Sequence, residues 1–305
     1  MTNNRGKFMR ISVDLLDMID YSKPYETQLA LTLLYKGQAL YEAWNDTLIE
    51  TTASLLIKTF KKQEVPRRQA DNVVNALVDM RDRGMIEFDE DDIKFKDEIV
   101  IDVKPLIELA NSGEVYVELL VEDFYAIMES DNKIVVNKKE VTVNGIESYL
   151  LQSFITTKAR WNFKTIDMLS EVDDFNYAIG SYEEVQQAKG VFCSDSLDYI
   201  RTHKHYALDE IDNWCDDRYL MAYLEKLVEL DCIKIYKRKM KTEDGISKTK
   251  NFYYIPTMSF ECIDAMVRQY ARRHNYVIKQ SNKDKVEEKP ISPITRGGKR
   301  KRVNW

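Results

Sequence analysis

The sequence predicts a mainly α-helical protein with small β-hairpins, and therefore an α+β fold class. The stretch from Tyr206 to Pro256 has the pattern of a helix, a tight turn, a second helix and a basic hairpin. The first 110 residues show a similar order of helices followed by a hairpin, and the two parts open with similar segments. These observations predict two tandem winged-helix units, residues 1–110 and 111–278, followed by a disordered basic tail at 279–305.

Each predicted unit opens with an extended segment that leads into an apolar helical turn. The first opening is FMRIS followed by VDLLDMI, and the second is VYVELLVEDFYAIM. A longer helical pattern follows in each unit, TQLALTLLYKGQALY in the first and SYLLQSFITTKARW in the second. This self-similarity predicts a duplicated domain.

A helix with one apolar face is predicted after Pro66, which suits a first turn because its missing N–H costs nothing there. Gly84 is expected to end this helix. The buried positions are expected to be Ala70, Val73, Val74 and Leu77. The opposite face carries Arg68, Asn72, Asn75 and Asp79. Because arginine pairs with guanine and asparagine with adenine, this face is a candidate for reading bases, although exposed asparagines are also ordinary on helix surfaces.

The hairpin predicted for the first unit, from Ile86 to Val103, is acidic and should repel phosphate. Its basic residues, Lys94 and Lys96, are outnumbered by Glu87, Asp89, Glu90, Asp91, Asp92, Asp97 and Glu98. DNA contacts of this unit are therefore expected from cations before and at the start of the preceding helix. These are Lys58, Lys61, Lys62, Arg67 and Arg68.

In the second unit the predicted helices are Leu208 to Cys215 and Tyr219 to Leu230, separated by a turn at 216–218. The apolar face of the second helix is expected to follow Leu220, Leu224, Leu227 and Asp231. Its outer face would present Tyr219, Tyr223 and Lys226 to DNA. This face is a weaker base reader, because groove-reading helices normally present Arg, Lys, Asn or Gln.

The hairpin of the second unit is the strongest electrostatic signal in the chain. A turn is expected at 242–245, and the return strand is expected from Phe252 to Ile255. The hairpin contains two acidic residues, Glu243 and Asp244, and seven basic residues, Lys234, Lys237, Arg238, Lys239, Lys241, Lys248 and Lys250. Five excess positive charges, placed at the hairpin tip of a chain with net charge −6, predict phosphate contact. The alternative is a solvated edge that lysines protect from aggregation.

Several segments carry less information. Phe163 to Tyr206 predicts two or three short helices, either an insertion or a further helix-turn-helix. The aromatic run Phe252 to Tyr254 is expected in the core rather than as a stacking platform for single strands. An amphipathic helix is expected after Pro256, with Phe260, Ile263, Met266, Val267 and Tyr270 inward. The tail residues Lys299, Arg300, Lys301 and Arg302 suit a DNA-binding or partner-binding arm, a nuclear address or a solubilising tail.

Composition and motifs predict a cytoplasmic protein without enzymatic activity or cofactor. No apolar run is long enough to span a bilayer, and MTNNRGKFMR lacks the apolar stretch of a secretory signal. The four cysteines are scattered, so neither a disulfide framework nor a zinc site is indicated. Gly297-Gly298-Lys299 lacks the spacing of a phosphate loop. His203 and His205 lack the apolar neighbour expected of a nickase metal site.

The two units together resemble the tandem winged-helix layout of plasmid and phage replication initiators. The resemblance rests on the two openings, on the long helices that follow them, and on VVNALVDMRDRGMIEF and YLEKLVELDCIKIYKRK, which match L-x-x-L/M-x-x-x-G-x-I before a hairpin. It covers most of residues 8 to 256 in outline. The sequence departs from this pattern at three points. Cys232 stands where a glycine would be usual, the first hairpin is acidic, and the second unit carries the extra segment from Phe163 to Tyr206.

These observations predict a sequence-specific double-stranded DNA-binding protein that initiates replication of a mobile element. One alternative is a transcriptional regulator with the same fold. Another is a non-catalytic adaptor whose acidic faces bind a protein. Replication or transcription proteins and a second copy of the chain are further candidate partners, and no membrane is expected to be one.

Overall fold

The computed structural model describes residues 7–58, 67–113, 116–169, 192–193, 197–202, 215–242, 244–254, 256 and 260–277. Helices and small antiparallel sheets alternate along these residues, which confirms the α+β prediction. Of the helix predicted from Leu208 to Cys215, residues 208–214 lie outside the described residues, as does much of the segment 163–206. No helix within the described ranges is long and apolar enough to cross a membrane.

The first half runs from a short strand to an eight-residue helix. Its elements are β1 (Phe8–Ser12), α1 (Val13–Met18), α2 (Glu26–Trp44), β2 (Leu48–Thr51), α3 (Ala53–Lys58), α4 (Arg67–Asp82), β3 (Ile99–Asp102) and α5 (Lys104–Asn111). Helix α4 confirms the helix predicted after Pro66. Its positions Ala70, Val73 and Leu77 are buried, and Val74 is half-buried.

The second half repeats this order with two additions, a hairpin after its first short helix and a second strand before its last helix. Its elements are β4 (Tyr116–Leu120), α6 (Val121–Met128), β5 (Lys133–Val136), β6 (Lys139–Thr142), α7 (Ile146–Leu169), β7 (Phe192–Cys193), α8 (Leu197–Thr202), α9 (Asp217–Glu229), β8 (Lys234–Lys241), β9 (Ser247–Tyr254) and α10 (Phe260–Arg273). Strand β9 lies between β7 and β8. Its pairing with β7 corresponds to the pairing of β3 with β2 in the first half.

The hairpin predicted from Ile86 to Val103 pairs only at its base, through Glu87 and Asp102. Strand β3 pairs along its length with β2, in the register Ile49 with Ile101. On the other edge of β3 a single bridge joins Glu87 to Asp102. The acidic residues after Phe88 therefore form an exposed loop rather than a regular hairpin. The sequence missed β2 because a four-residue strand between two helices has almost no periodic signal.

The opening strands of the two halves pair with each other. Strands β1 and β4 are antiparallel, and Arg10 lies opposite Glu118. Because Val13 begins α1 and Val121 begins α6, Arg10 and Glu118 occupy equivalent positions of the repeat. When two equivalent strands pair antiparallel with equivalent residues opposite each other, a local two-fold axis relates them, as in an isologous dimer interface. The two halves therefore contact each other as two copies in a dimer would.

Helices α4 and α9 end in the same way, in the same register. Met85 N–H donates to Met80 O and Cys232 N–H donates to Leu227 O, both at 2.9 Å. Gly84 has φ +70° and its equivalent, Asp231, has φ +60°. This left-handed residue followed by a bond back to the last turn is a Schellman cap. Asp231, rather than Cys232, therefore stands in the position of the glycine, and it is exposed instead of lying on the apolar face as predicted.

Replacing Asp231 with glycine is expected to raise the free energy of unfolding by about 1 kcal/mol, because the left-handed conformation strains any residue with a Cβ. Gly84→Asp is the matched converse and should cost a similar amount. A Cβ at Gly84 meets no atom within 4 Å, so its cost is conformational rather than steric. Asp231→Asn removes the charge but keeps the Cβ. Urea unfolding of the three variants measures this, and equal stability of Asp231→Gly and the wild type would contradict it.

One apolar core runs through both halves. It joins Leu29 and Leu33 of α2 to Leu150 and Phe154 of α7, and it extends to Leu224 of α9. Polar contacts cross the same junction. Gln152 Nε2 donates to Thr27 Oγ1 at 2.9 Å, and Gln28 N–H donates to Ser148 Oγ at 3.1 Å.

Candidate nucleic-acid interface

The basic residues of the hairpin β8–β9 are divided between its two faces. In the observed register Arg238 lies opposite Lys250 and Lys239 lies opposite Thr249. Side chains alternate along a strand, so one face carries Lys237, Lys239 and Lys241 with the polar residues opposite them. The other carries Lys234, Tyr236, Arg238, Met240, Lys248, Lys250, Phe252 and Tyr254. The basic residues therefore lie along both strands, and the prediction that they cluster at the tip is wrong. The return strand begins at Ser247, five residues earlier than predicted.

The second face of this hairpin packs against α10. Lys250 Nζ lies 2.5 Å from Tyr270 Oη and 4.8 Å from the centre of that ring. Lys234 Nζ donates to Pro256 O at 2.9 Å. Lys250 is half-buried and engaged within the protein, so it is a poorer phosphate ligand than its charge suggested, whereas Lys248 on the same face is exposed.

The first face points to solvent at its outer end. Lys237 and Lys239 are exposed and Lys241 is half-buried. The residues across from them are Ser247, Thr249 and Asn251, so no acid interrupts this face. We name Lys237, Lys239 and Lys241 the lysine row. At the base of the hairpin Phe252, Tyr253 and Tyr254 are buried, which confirms their predicted place in the core.

Helix α9 does not present the outer face that the sequence predicted. Tyr223 is only 3% exposed, and its ring stacks on Tyr149 of α7 with ring centres 5.4 Å apart. Lys226 is 7% exposed, and its Nζ lies 3.0 Å from Asp131 Oδ1. The exposed side chains of this helix include Glu225 and Glu229, which repel phosphate. The predicted DNA contacts of Tyr223 and Lys226 are therefore wrong.

Helix α9 also begins two residues earlier than predicted. Asp216 caps it by accepting the Arg218 N–H at 2.7 Å. The Arg218 side chain holds the pKa of Asp216 at about 2 through a hydrogen bond. The residues assigned to a turn are therefore the cap and first turn of the helix, and the Asp216 carboxylate at its start is paired with Arg218.

Helix α4 exposes the three side chains predicted to read bases. Arg68, Asn72 and Asn75 are exposed on the face opposite Val73 and Leu77. Lys58 is half-buried at the end of α3. Among the other predicted contacts, Lys61, Lys62, Lys299, Arg300, Lys301 and Arg302 lie outside the described residues, as does the side chain of Arg67.

A cleft of about 660 Å³ lies between the starts of α4 and α9. From the equivalence of Gly84 and Asp231, Arg68 and Asn72 occupy the positions of Cys215 and Tyr219. All four line the cleft, so the two halves contribute corresponding residues to it. The remaining lining residues are Pro24, Tyr25, Gln69, Val141, Thr142, Val143, Asn144, Tyr149, Asp216 and Tyr223. The sequence did not predict this cleft, because its walls come from segments far apart in the chain.

Burial sets the chemistry of the groups in this cleft. It raises the pKa of the Cys215 thiol to about 12, so the thiol stays protonated and is a poor nucleophile. It also raises the pKa of Tyr25 to about 12, and the Tyr25 hydroxyl donates to Gln69 Oε1. Both groups are therefore neutral at physiological pH.

The hairpin β5–β6 was not predicted from the sequence. Its turn residues Asn137 and Lys138 have φ +51° and +65°, and Lys138 and Lys139 are exposed. Two positive φ values are typical of a two-residue type I′ turn. The signal for it is the β-branched run before Asn137, followed by alternation at Glu140 to Thr142.

Within the described residues, no group of three or more His, Cys, Asp or Glu side chains could hold a metal ion. Comparisons of this chain with protein-family models, with curated proteins and with solved structures found no match.

Proposed function

We propose that this protein is a non-catalytic, sequence-specific double-stranded DNA-binding protein that initiates replication of a mobile element such as a plasmid or phage. Each half would act as a winged-helix unit. The observation that carries the proposal is the lysine row, three cations on one uninterrupted polar face of a hairpin in a chain with net charge −6. Phosphate contacts of this kind supply much of the affinity for DNA.

Sequence preference is assigned to α4 rather than to α9. Arg68, Asn72 and Asn75 offer the donors and acceptors that match purine edges in the major groove. Helix α9 presents Glu225 and Glu229 instead. The two helices would therefore have different roles, with α4 reading bases and the second half anchoring the phosphate backbone.

Replacing the lysine row with alanine is expected to weaken binding to every duplex and to reduce the slope of log K against log salt by about 2 to 3, because up to three phosphate contacts are lost. Asn75→Ala should instead relax the preference for selected sequences over random ones by about 1 to 3 kcal/mol. The measurement is fluorescence anisotropy of labelled duplexes, selected from a random library, between 50 and 300 mM salt.

The matched control replaces Lys94, Lys96 and Lys104, three exposed lysines of the first half, with alanine. It removes the same charge from another surface and should leave both the affinity and the salt slope close to wild type. Equal losses in the two triple variants would show that net charge, and not the lysine row, governs binding. Sequencing the genomic fragments that the protein binds then distinguishes a replication origin, which contains repeated sites, from a promoter operator.

A protein–protein adaptor is the second candidate, and one surface favours it. Val135 is 58% exposed beside Glu225 and Glu229 of α9, next to a cleft of about 330 Å³. An exposed apolar residue with acidic neighbours suits a basic protein partner. If no duplex sequence is enriched at 50 mM salt, the DNA-binding proposal fails and the adaptor is favoured.

A further inference from the structure

The cleft between α4 and α9 has one aromatic wall. Tyr149 and Tyr223 are nearly parallel, with 4° between their ring planes, and Tyr219 lies 6.3 Å from Tyr223. Tyr219 and Tyr149 are half-buried, so they are partly accessible from the cleft. Aromatic surfaces of this kind stack well with planar rings, and a nucleobase is such a ring.

A polar wall of the cleft comes from α4. The side chains of Arg68 and Asn72 are exposed, and within the described residues neither forms an ion pair or a hydrogen bond. An asparagine can pair with the N6 and N7 atoms of adenine. The two walls therefore combine a stacking surface with a group that recognises a purine edge.

Charge gives the cleft a direction. Asp216 stands at the α9 end, and Arg68 is the single cation among the described lining residues. Arg218 pairs with Asp216 at 2.9 Å and balances its charge, so a phosphate would be attracted to Arg68 at the α4 end. A nucleotide would therefore enter with its base toward the tyrosines and its phosphate toward Arg68.

We propose that this cleft binds an unpaired purine base, stacked on the accessible parts of Tyr219 and Tyr149, with Asn72 at the edge of the base and Arg68 at the phosphate of the same nucleotide. The volume of about 660 Å³ accommodates a whole nucleotide rather than a base alone. The base can come from a free purine nucleotide or from a DNA strand in which it is not paired. The activity goes beyond duplex binding, with which it shares Arg68 and Asn72.

The test uses the fluorescent adenine analogue 8-vinyladenine, which keeps the N6 amino group and N7 of adenine and whose emission falls when it stacks on an aromatic ring. The full-length protein is titrated into four probes: the free deoxynucleoside monophosphate, a thymine-rich single strand with one analogue, a duplex with the analogue in a one-base bulge, and the same duplex fully paired. Quenching of the strand and bulge probes alone assigns a DNA strand as the source. Quenching of the free nucleotide assigns a small ligand. Unchanged emission in all three unpaired probes overturns the proposal.

Variants separate this site from duplex binding. Tyr219→Leu should weaken binding of the unpaired probes about tenfold, since one base–aromatic stack carries that much or more. Tyr41→Leu, which changes an exposed tyrosine of α2, is the matched control and should bind as the wild type does. Equal affinity of these two variants for the unpaired probes overturns the proposal.

Two further variants test whether Tyr219→Leu acts only indirectly, through the folding of the protein. Asn72→Ala changes an exposed side chain and should also weaken the unpaired probes. Asn75 does not line the cleft, so Asn75→Ala should leave those probes unaffected while it relaxes duplex preference. Duplex binding without base binding would sink this inference alone. Base binding without duplex binding would sink the proposed function alone.

Discussion

Replacing Arg83 with methionine is expected to lower the free energy of unfolding by about 3 kcal/mol. The Glu26 side chain, at the start of α2, is 0% exposed, and Arg83 Nη2 lies 2.5 Å from its Oε1. The same oxygen accepts the Asp20 N–H at 2.7 Å. Removing the cation leaves a buried carboxylate whose charge is no longer balanced, and desolvation of such a group is costly.

The two partners should not cost the same. The Arg83 side chain is 30% exposed, so water can solvate it when its partner is removed. Glu26→Gln is therefore expected to cost about 1 kcal/mol, less than Arg83→Met. The double variant should be more stable than Arg83→Met alone. Urea unfolding followed by circular dichroism measures all three, and a larger loss in Glu26→Gln than in Arg83→Met would contradict the prediction.

The cost of Arg83→Met should also depend on pH. Burial raises the pKa of Glu26 above its ordinary value of 4.5, and Arg83 opposes that shift. A carboxyl group with a raised pKa binds protons more tightly in the folded state, so its contribution to stability falls as pH rises through the interval between the two values. Without Arg83 the pKa of Glu26 in the folded protein rises further, so the interval between its folded and unfolded pKa values widens. The penalty should therefore be small at pH 4 and larger at pH 7.

Replacing Phe124 with alanine is expected to cost about 3 to 5 kcal/mol, the usual range for a fully buried phenylalanine. The ring belongs to α6 of the second half and lies 5.8 Å from Tyr35 on α2 of the first. Tyr125 donates to the Tyr35 hydroxyl at 2.8 Å beside it. Because this aromatic cluster and the shared core join the two halves, the loss of stability should affect both halves.

Hydrogen exchange with mass spectrometry tests this coupling. Phe124→Ala should speed exchange in α4 as well as in α9, although neither helix contains the substitution. Tyr41→Ala, at an exposed position of α2, should change exchange in neither helix. Faster exchange confined to the second half would show that the two halves unfold independently.

The sequence was most informative where structure depends on near neighbours. The exposed face of α4 follows from Val73 and Leu77 at helical spacing, and the helix end follows from Gly84. Tyr223 also fits a local pattern, since Leu220, Tyr223, Leu224 and Leu227 have the spacing of one apolar stripe. The polar hydroxyl of Tyr223 suggests a DNA contact, but the spacing of the residue places its ring in the core.

Other features depend on residues distant in the chain. Lys226 can be buried because its ammonium group forms an ion pair with Asp131, near β5. No pattern within α9 indicates this partner. Which hairpin lysines face solvent depends on where α10 packs. The cleft needs both halves in place before its walls meet. Pairwise spacing in one segment cannot reveal such tertiary neighbours.

The pairing of β1 with β4 has a consequence for the order in which the chain matures on the ribosome. Strand β1 is translated first, but its partner at 116–120 follows about 100 residues later, which takes roughly 5 to 20 s at ordinary rates of synthesis. During that interval Met9 and Ile11 are made but cannot be covered by β4. This high-contact-order pairing should slow folding, and it makes β1 a site where a nascent chain is open to misassembly or chaperone capture.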